Sequence, residues 1–167
     1  MPRQPIHVAA ICTGNICRSP MAEVVLRHLV AEDPLLKDHV IVTSAGTANW
    51  HVGSPMDPRA RSALDRAGYT GPGSLGVFAD ADFLDRQDLV VVMTREHRDD
   101  VRRRLVRDST DVILWRDLLD DGEDLDVADP YYGHSDDFDD CLDVLSVGAV
   151  HLTQLLRARV DEHTREQ

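Results

Sequence analysis

Two short apolar runs constrain the fold of this chain more than any other feature of its sequence. They occupy residues 6–11 (IHVAAI) and residues 89–93 (LVVVM). Runs of this length are typical of β-strands. A strand with almost no polar positions is covered on both faces, as the strands of a parallel sheet are. The sequence therefore predicts a parallel sheet with helices packed on each side.

Helical patterns alternate with strand patterns along the chain. Pro20 suits the first turn of a helix, and apolar residues recur at helical spacing after it. We predict strands at residues 6–11, 40–44, 89–93 and 112–114, and helices at residues 19–31, 58–67, 96–106 and 136–160. The length of 167 residues suits one domain, residues 1–167. The prediction is an α/β fold in which a four-stranded parallel sheet is flanked by helices on both faces.

The charge of the chain restricts its partners. Lysine and arginine number 18 against 30 aspartate and glutamate, which gives a formal net charge of −12. Nucleic-acid binders normally present a basic face, and an anionic membrane would repel this chain, so we expect neither partner. No apolar run reaches membrane-spanning length and no early segment has the signal-peptide pattern. We expect a cytoplasmic protein, with export without a classical signal as the alternative.

The segment CTGNICRS, between the first strand and the first helix, has the composition of a phosphate-binding loop. Gly14 and Asn15 tolerate left-handed backbone, which lets a short loop turn its N–H groups inward around an anion. The helix start adds further N–H groups, and Arg18 can bind two oxygens of an oxyanion. Such surroundings favour the thiolate of Cys12, which the Ser19 hydroxyl can stabilise. The C-x5-R spacing therefore predicts a thiolate that attacks phosphorus; the alternative is a tight turn with buried cysteines.

This segment resembles the signature loop of the low-molecular-weight protein tyrosine phosphatases, in the form of the bacterial members. CTGNICRSPMAE, TSAGTANWHVGSPMDPRA at residues 43–60 and DPYYG at residues 129–133 carry the resemblance, which runs in order over nearly the whole chain. It implies a four-stranded parallel sheet flanked by helices. It also implies hydrolysis of phosphotyrosine and small aryl phosphates through a phosphocysteine intermediate, with no metal and no organic cofactor.

The resemblance assigns a role to each matching residue. Cys12 matches the nucleophile, Arg18 the residue that binds the phosphoryl oxygens, and Asp129 the general acid that later activates water. Cys17 matches a cysteine that can trap the oxidised nucleophile as a reversible disulfide. The residues that match the family's phosphate-binding loop are Thr13, Gly14, Asn15, Ile16, Cys17 and Ser19. Those that match its substrate pocket are Thr13, Trp50, Tyr131 and Tyr132. Ser44 matches a residue that supports the loop together with Asn15 and Ser19.

Several of these residues also have an ordinary structural interpretation. Asp129 begins an Asp-Pro turn, Trp50 is compatible with a surface-capping aromatic, and Ser44 with a strand end. Cys17 is compatible with a buried helix start, and Cys141 lies in an apolar helical pattern and is interpreted as core. Three cysteines do not make a disulfide framework or a zinc site. The joint occurrence of the motifs favours the functional interpretation.

The sequence departs from the family at one place. After RAGY at residues 66–69 the family carries a short His-x-Ala-Arg-like motif, whose histidine bonds to the serine and asparagine residues that hold the loop. In this chain Gly73 falls at the position of the histidine and Gly76 at that of the basic residue. Because glycine adds flexibility, we expect weaker support of the phosphate loop and a lower catalytic rate.

Three other functions are alternatives. Arsenate reductase shares the fold and the loop, but it needs further cysteines, and none lies between Cys17 and Cys141. The others are a non-catalytic phosphate- or phosphotyrosine-binding protein and a redox sensor that uses Cys12 and Cys17. The expected partner is a phosphotyrosine-containing protein substrate, and a tyrosine kinase is a further candidate. We expect a monomer, with a weak dimer as the alternative.

Overall fold

The computed structural model describes residues 3–119 and 125–166. The strands within these residues are β1 (Ile6–Cys12), β2 (Val40–Gly46), β3 (Leu89–Val92) and β4 (Asp111–Leu114). The α-helices are α1 (Arg18–Glu32), α2 (Pro58–Arg66), α3 (Ala81–Asp85), α4 (Arg95–Arg104) and α5 (Ser135–Arg165). The predicted domain, residues 1–167, also includes residues 1–2, 120–124 and 167, which lie outside the described residues.

The strands form one parallel sheet in the order β2-β1-β3-β4. Strand β1 lies inside the sheet, where Val8 pairs with Val42 on one side and with Leu89 on the other. After β2 the chain crosses to the opposite side of β1, which creates a topological switch point between β1 and β3. Ligands of such sheets bind outside the carboxyl ends of the strands at this point. The loop that follows Cys12 begins there.

Both faces of the sheet are covered. Val8 and Ala10 of β1 face the core formed with α1, α2 and α5, whereas Ala9 and Ile11 face the smaller core formed with α3 and α4. All four residues of β3 are buried. Burial on both faces explains why these strands have so few polar positions. The predicted four-stranded parallel sheet with helices on both faces is confirmed.

The predicted bounds differ from the observed ones mainly at the ends of elements. The first strand includes Cys12, and the last helix continues to Arg165 instead of ending at residue 160. Helix α3 was not predicted, because its five residues are too few to display helical periodicity. A cap signal marks it: the side chain of Asp80 accepts a hydrogen bond from the Phe83 N–H. Among residues 3–119 and 125–166, no helix has the length and apolarity required to cross a membrane.

Candidate active site

The loop of residues 13–17 connects the end of β1 to the start of α1. Asn15 has a φ of 58°, which is the left-handed region expected for it. Gly14 does not use this region; its requirement is space, because a Cβ there would lie 3.1 Å from Cδ2 of His51. Of the two loop residues that tolerate left-handed backbone, Asn15 is therefore the one that adopts it.

Cys12 and Ser19 meet at the floor of this loop. Cys12 is the last residue of β1 and Ser19 lies in the first turn of α1, and both are buried. Their Sγ and Oγ atoms are 3.0 Å apart. The hydroxyl is therefore placed to donate a hydrogen bond to the sulfur, as the sequence predicts.

Arg18 joins the loop to the segment that contains Asp129. Its guanidinium is buried and donates from Nη1 to the carbonyl oxygen of Val127 at 3.0 Å and from Nη2 to Oδ2 of Asp129 at 3.3 Å. The Val127 N–H donates in turn to the carbonyl oxygen of Met93 at 2.7 Å, just beyond the end of β3. The structure thus brings Cys12, Arg18 and Asp129 to one end of the sheet, although 111 positions separate Arg18 from Asp129.

A pocket with a volume of about 210 Å³ opens over the loop. It contains the predicted nucleophile, the arginine, the acid and the predicted pocket aromatics. Trp50 and Tyr132 are mostly exposed at its rim, and the rings of Tyr131 and Tyr132 meet edge to face at 4.9 Å. His51 also lines it, a residue to which the sequence assigned no role. The lining residues are Cys12, Thr13, Gly14, Ile16, Cys17, Arg18, Trp50, His51, Asp129, Tyr131 and Tyr132.

A buried hydrogen-bond network holds the loop from behind. Nδ2 of Asn15 donates to Oγ of Ser19 at 2.7 Å and to Oγ of Ser44 at 2.9 Å. Oδ1 of Asn15 accepts from the Val77 N–H at 3.0 Å. Ser44 donates to Oε2 of Glu23 at 3.0 Å. The three residues predicted to support the loop are therefore in contact, outside the pocket lining.

The family model for low molecular weight phosphotyrosine protein phosphatases matches residues 7–164. The chain belongs to this family. The resemblance inferred from CTGNICRSPMAE and DPYYG is thereby confirmed.

Known members align with nearly all of the chain. A low molecular weight protein-tyrosine-phosphatase from Streptomyces coelicolor is 42% identical over 159 residues, which cover 93% of this chain and 96% of the relative. Low molecular weight protein-tyrosine phosphatase A from Mycobacterium tuberculosis is 40% identical over 143 residues, which cover 84% of this chain and 85% of the relative.

Solved structures share the fold. The crystal structure of YfkJ from Bacillus subtilis has a TM-score of 0.85 at 29% identity and covers 95% of this chain and 99% of its own. The tyrosine phosphatase Wzb from Escherichia coli K30, solved in complex with sulphate, has a TM-score of 0.76 at 28% identity, with coverages of 90% and 97%.

This family member supports its loop without the histidine that is missing at Gly73. Glu23 lies buried on α1 and accepts hydrogen bonds from both Ser44 and Ser74, the latter at 3.1 Å. Arg27 pairs with Glu23 at 2.9 Å and donates to Oγ of Ser74 at 3.2 Å. Burial raises the pKa of Glu23, while Arg27 and the two hydroxyls act in the opposite direction. Ser74 and the ion pair of Glu23 with Arg27 therefore lie beside Gly73, where the histidine was expected.

The two glycines of the departing segment are packed closely against residues 51–56. A Cβ at Gly73 would lie 2.4 Å from Cε of Met56, and one at Gly76 would lie 2.1 Å from the carbonyl oxygen of His51. The Gly76 N–H donates to the Ser54 carbonyl at 2.8 Å, and its carbonyl accepts from Gly53 at 2.9 Å. The end of the segment that we expected to be flexible is therefore hydrogen-bonded to residues 53 and 54 through both the N–H and the carbonyl of Gly76.

His97 is a further residue of the site that the sequence did not reveal. Its Nε2 lies 2.7 Å from the hydroxyl oxygen of Thr13 in the loop. It belongs to α4, which the sequence predicted as an exposed basic helix, yet the residue is only 3% exposed. Burial, together with the nearby charge of Arg18, lowers the pKa of His97 to about 4, although the charge of Asp126 acts in the opposite direction. His97 is therefore neutral near pH 7 and fixes the Thr13 side chain.

The other two cysteines are neutral thiols. Burial strongly raises the pKa of Cys17, and the nearby carboxylates of Asp57 and Asp129 add to this. Burial also raises the pKa of Cys141 to about 12, and its side chain belongs to the main core, as predicted. Within the described ranges 3–119 and 125–166, no group of three or more histidine, cysteine and carboxylate side chains is arranged to hold a metal ion.

The lowered pKa of His97 predicts a pH dependence of stability. The unfolded chain binds a proton near pH 6.5, whereas the folded chain resists it until about pH 4, so stability falls as the pH drops through this window. The contribution reaches roughly 3 kcal/mol at the lower end. His97→Gln, which keeps an amide for the Thr13 contact, should remove this slope, as measured by urea unfolding at a series of pH values.

His28→Gln is the matched control for this experiment, because it removes a histidine whose side chain is 44% exposed. It should leave the pH dependence of the wild-type protein in place. If the free energy of unfolding of the wild-type and His97→Gln proteins changed with pH in the same way, the lowered pKa of His97 would be contradicted.

Proposed function

We propose that this protein hydrolyses phosphotyrosine in proteins, and small aryl phosphates, through a phosphocysteine intermediate. The observation that carries the proposal is one pocket lined by the buried Cys12 and Arg18, by the more exposed Asp129 and by aromatic side chains at its rim. Membership of the phosphotyrosine protein phosphatase family supports it. Relatives named as protein-tyrosine phosphatases that align over 84% and 93% of this chain support it further.

The first chemical step transfers the phosphoryl group to sulfur. The thiolate of Cys12 attacks phosphorus, so that a bond forms from sulfur to phosphorus while the bond from phosphorus to the tyrosine oxygen breaks. The loop N–H groups and Arg18 bind the phosphoryl oxygens, where negative charge is concentrated. Asp129 donates its proton to the departing phenolate, which leaves as neutral tyrosine.

The second step regenerates the enzyme. A water molecule attacks the phosphorus of the phosphocysteine, and the Asp129 carboxylate accepts one proton of that water. The bond from sulfur to phosphorus breaks, which releases inorganic phosphate and returns Cys12 as a thiolate. The hydroxyl of Ser19, 3.0 Å from the sulfur, stabilises this leaving thiolate.

The rim of the pocket favours an aromatic substrate. Trp50, Tyr131 and Tyr132 offer flat apolar surfaces for the phenyl ring, and His51 lines the same pocket. A phosphotyrosine side chain is long enough to bring its phosphorus to Cys12 at the base, whereas phosphoserine is shorter. The substrate is therefore a phosphotyrosine-containing protein. A tyrosine kinase partner, the monomeric state and the cytoplasmic location stay predictions of the sequence.

Cys12→Ser tests the covalent mechanism. A serine hydroxyl does not ionise near neutral pH, so turnover of an aryl phosphate and of a phosphotyrosine peptide should fall by about 10⁴-fold or more. Binding of phosphate or vanadate should persist, because Arg18 and the loop N–H groups remain. Cys141→Ala is the control, since it removes a thiol that does not line the pocket. Retention of more than about a hundredth of the rate would exclude Cys12 as the nucleophile.

The wild-type protein separates the alternatives in the same assays. Vanadate-sensitive turnover of aryl phosphates supports the phosphatase, whereas phosphate binding without turnover indicates a binding protein. Thiol-dependent reduction of arsenate without aryl phosphatase activity would indicate an arsenate reductase.

Asp129→Asn tests the general acid. Expelling a tyrosine phenolate, with a conjugate-acid pKa of about 10, requires a proton, whereas a much more acidic phenol leaves without one. The loss in kcat/KM should be about 10²- to 10⁴-fold for phosphotyrosine and distinctly smaller for an activated aryl phosphate. Asp139→Asn is a matched control, because the two carboxylate side chains are 45% and 44% exposed. Equal losses for both leaving groups would mean that Asp129 only shapes the segment.

We further infer that oxidation reversibly switches the enzyme off. Peroxide converts the Cys12 thiolate to a sulfenic acid, and the Cys17 thiol displaces water from it to form a disulfide. Phosphate should protect against inactivation, and a thiol reductant should restore activity. Because the pKa of Cys17 is strongly raised, disulfide formation should accelerate as the pH increases.

Cys17→Ser tests this role, since it should convert recoverable inactivation by peroxide into permanent loss. Recovery of activity after reduction is the measurement, and mass spectrometry identifies the disulfide. Absence of a Cys12–Cys17 disulfide after mild oxidation of the wild-type protein would refute this role for Cys17.

A further inference from the structure

Arg59 lies at the start of α2, where its side chain contacts Asp57 before the helix and Tyr131 of the pocket. Asp57 caps this helix and accepts a hydrogen bond from the Arg59 backbone N–H at 2.8 Å. The same carboxylate accepts from the Arg59 guanidinium, at 3.0 Å from Nε and 2.8 Å from Nη2. This two-point pairing fixes the plane of the guanidinium, and the hydrogen bond from Arg59 lowers the pKa of Asp57.

The guanidinium lies near two aromatic rings, that of Phe138 in the core and that of Tyr131 at the pocket. Cζ of Arg59 is 4.7 Å from the ring centroid of Phe138 on α5 and 5.3 Å from that of Tyr131, both within the range of cation–π attraction. Nη1 also donates to the carbonyl oxygen of Gly133 at 3.5 Å. Arg59 therefore holds the aromatic segment on one side while Asp57 holds Arg59 on the other.

This series of contacts reaches the phosphate loop through Asp57 and the predicted general acid through Tyr131. The Asp57 N–H donates to the carbonyl oxygen of Ile16 in the phosphate loop at 2.8 Å. The Tyr131 N–H donates to Oδ1 of Asp129 at 3.1 Å. A continuous series of contacts thus runs from the loop through Asp57, Arg59 and Tyr131 to the acid.

We propose that Arg59 is a positioning residue that sets the aromatic wall and the general acid at a fixed distance from the phosphate loop. The proposal rests on the proposed phosphatase function. Lysine cannot replace arginine here, because an ammonium ion lacks the planar fork that pairs with the Asp57 carboxylate at two points while the guanidinium contacts both rings. The residue is not needed for the cap of α2, which uses its backbone N–H.

The position of Arg59 predicts which kinetic quantities change. Arg59→Gln should leave inhibition by inorganic phosphate within about twofold, because phosphate is held by the loop and Arg18 alone. It should lower kcat/KM for a phosphotyrosine peptide by about tenfold or more, because small displacements of catalytic groups are costly. The loss should be smaller for an activated aryl phosphate, which does not need the acid. Arg59→Lys should show most of the same loss, since it keeps the charge but not the plane.

Arg61→Gln is the matched control. Arg61 lies two positions further along α2, is 29% exposed against 41% for Arg59, and bonds to Asp65 and to the Tyr69 and Gly71 carbonyls, outside the pocket. Arg61→Gln should leave inhibition by phosphate unchanged, and also kcat/KM for the phosphotyrosine peptide and for the activated aryl phosphate. Thermal unfolding of each variant checks that the proteins are folded under assay conditions.

A double-mutant cycle decides whether Arg59 acts through the aromatic wall. In a Tyr131→Ala background the wall is already removed, so Arg59→Gln should cause little further loss. The proposal is overturned if the two substitutions lower kcat/KM independently, if phosphate inhibition weakens in parallel, or if Arg61→Gln has the same effect. An inactive wild-type protein would instead overturn the proposed function, and with it this role.

Discussion

The buried amide of Asn15 is the interaction on which the site depends. It makes hydrogen bonds to Ser19, Ser44 and the backbone of Val77, and so joins α1, β2 and the segment before α3 at one point. A buried amide without partners is costly, so any loop conformation that broke these bonds would be disfavoured. The left-handed backbone at Asn15 is therefore enforced by its own side chain, and it shapes the loop around the anion.

The net charge of −12 makes this local geometry necessary. A protein so acidic repels anions at long range, although salt screens that repulsion beyond roughly 8 Å at physiological ionic strength. Binding must therefore come from groups in direct contact with the phosphate. We propose that the buried guanidinium of Arg18 and the N–H groups at the start of α1 supply it. The acidity of the rest of the surface then has little influence on the phosphate once it is bound.

The sequence predicted the strands and the phosphate loop, whose signals lie within short segments of the chain. The strands were recognisable because burial on both faces leaves apolar runs, and the loop because its residue types match its chemistry. Glu23 and His97 were missed because each resembles a surface residue of a helix, and their partners Ser44 and Thr13 lie 21 and 84 positions away. The role of Ser74 was hidden for the same reason. Only the packing of α1 against β2, and of α4 on the sheet, brings these pairs together.

The two halves of the pocket are held by different forces. The phosphate loop is held by buried hydrogen bonds among Asn15, Ser19 and Ser44, with the Glu23–Arg27 ion pair behind them. A loop conformation that broke these bonds would leave buried polar groups unpaired. The segment from Val127 to Gly133 is held largely by arginines, with Arg18 on Val127 and Asp129 and Arg59 on Tyr131 and Gly133. Arg18 is buried, whereas the Arg59 side chain is 41% exposed, and ion pairs at exposed positions contribute less to stability. The position of the phosphate loop thus depends on buried side-chain hydrogen bonds, while the positions of Asp129 and Tyr131 depend on contacts with Arg18 and Arg59.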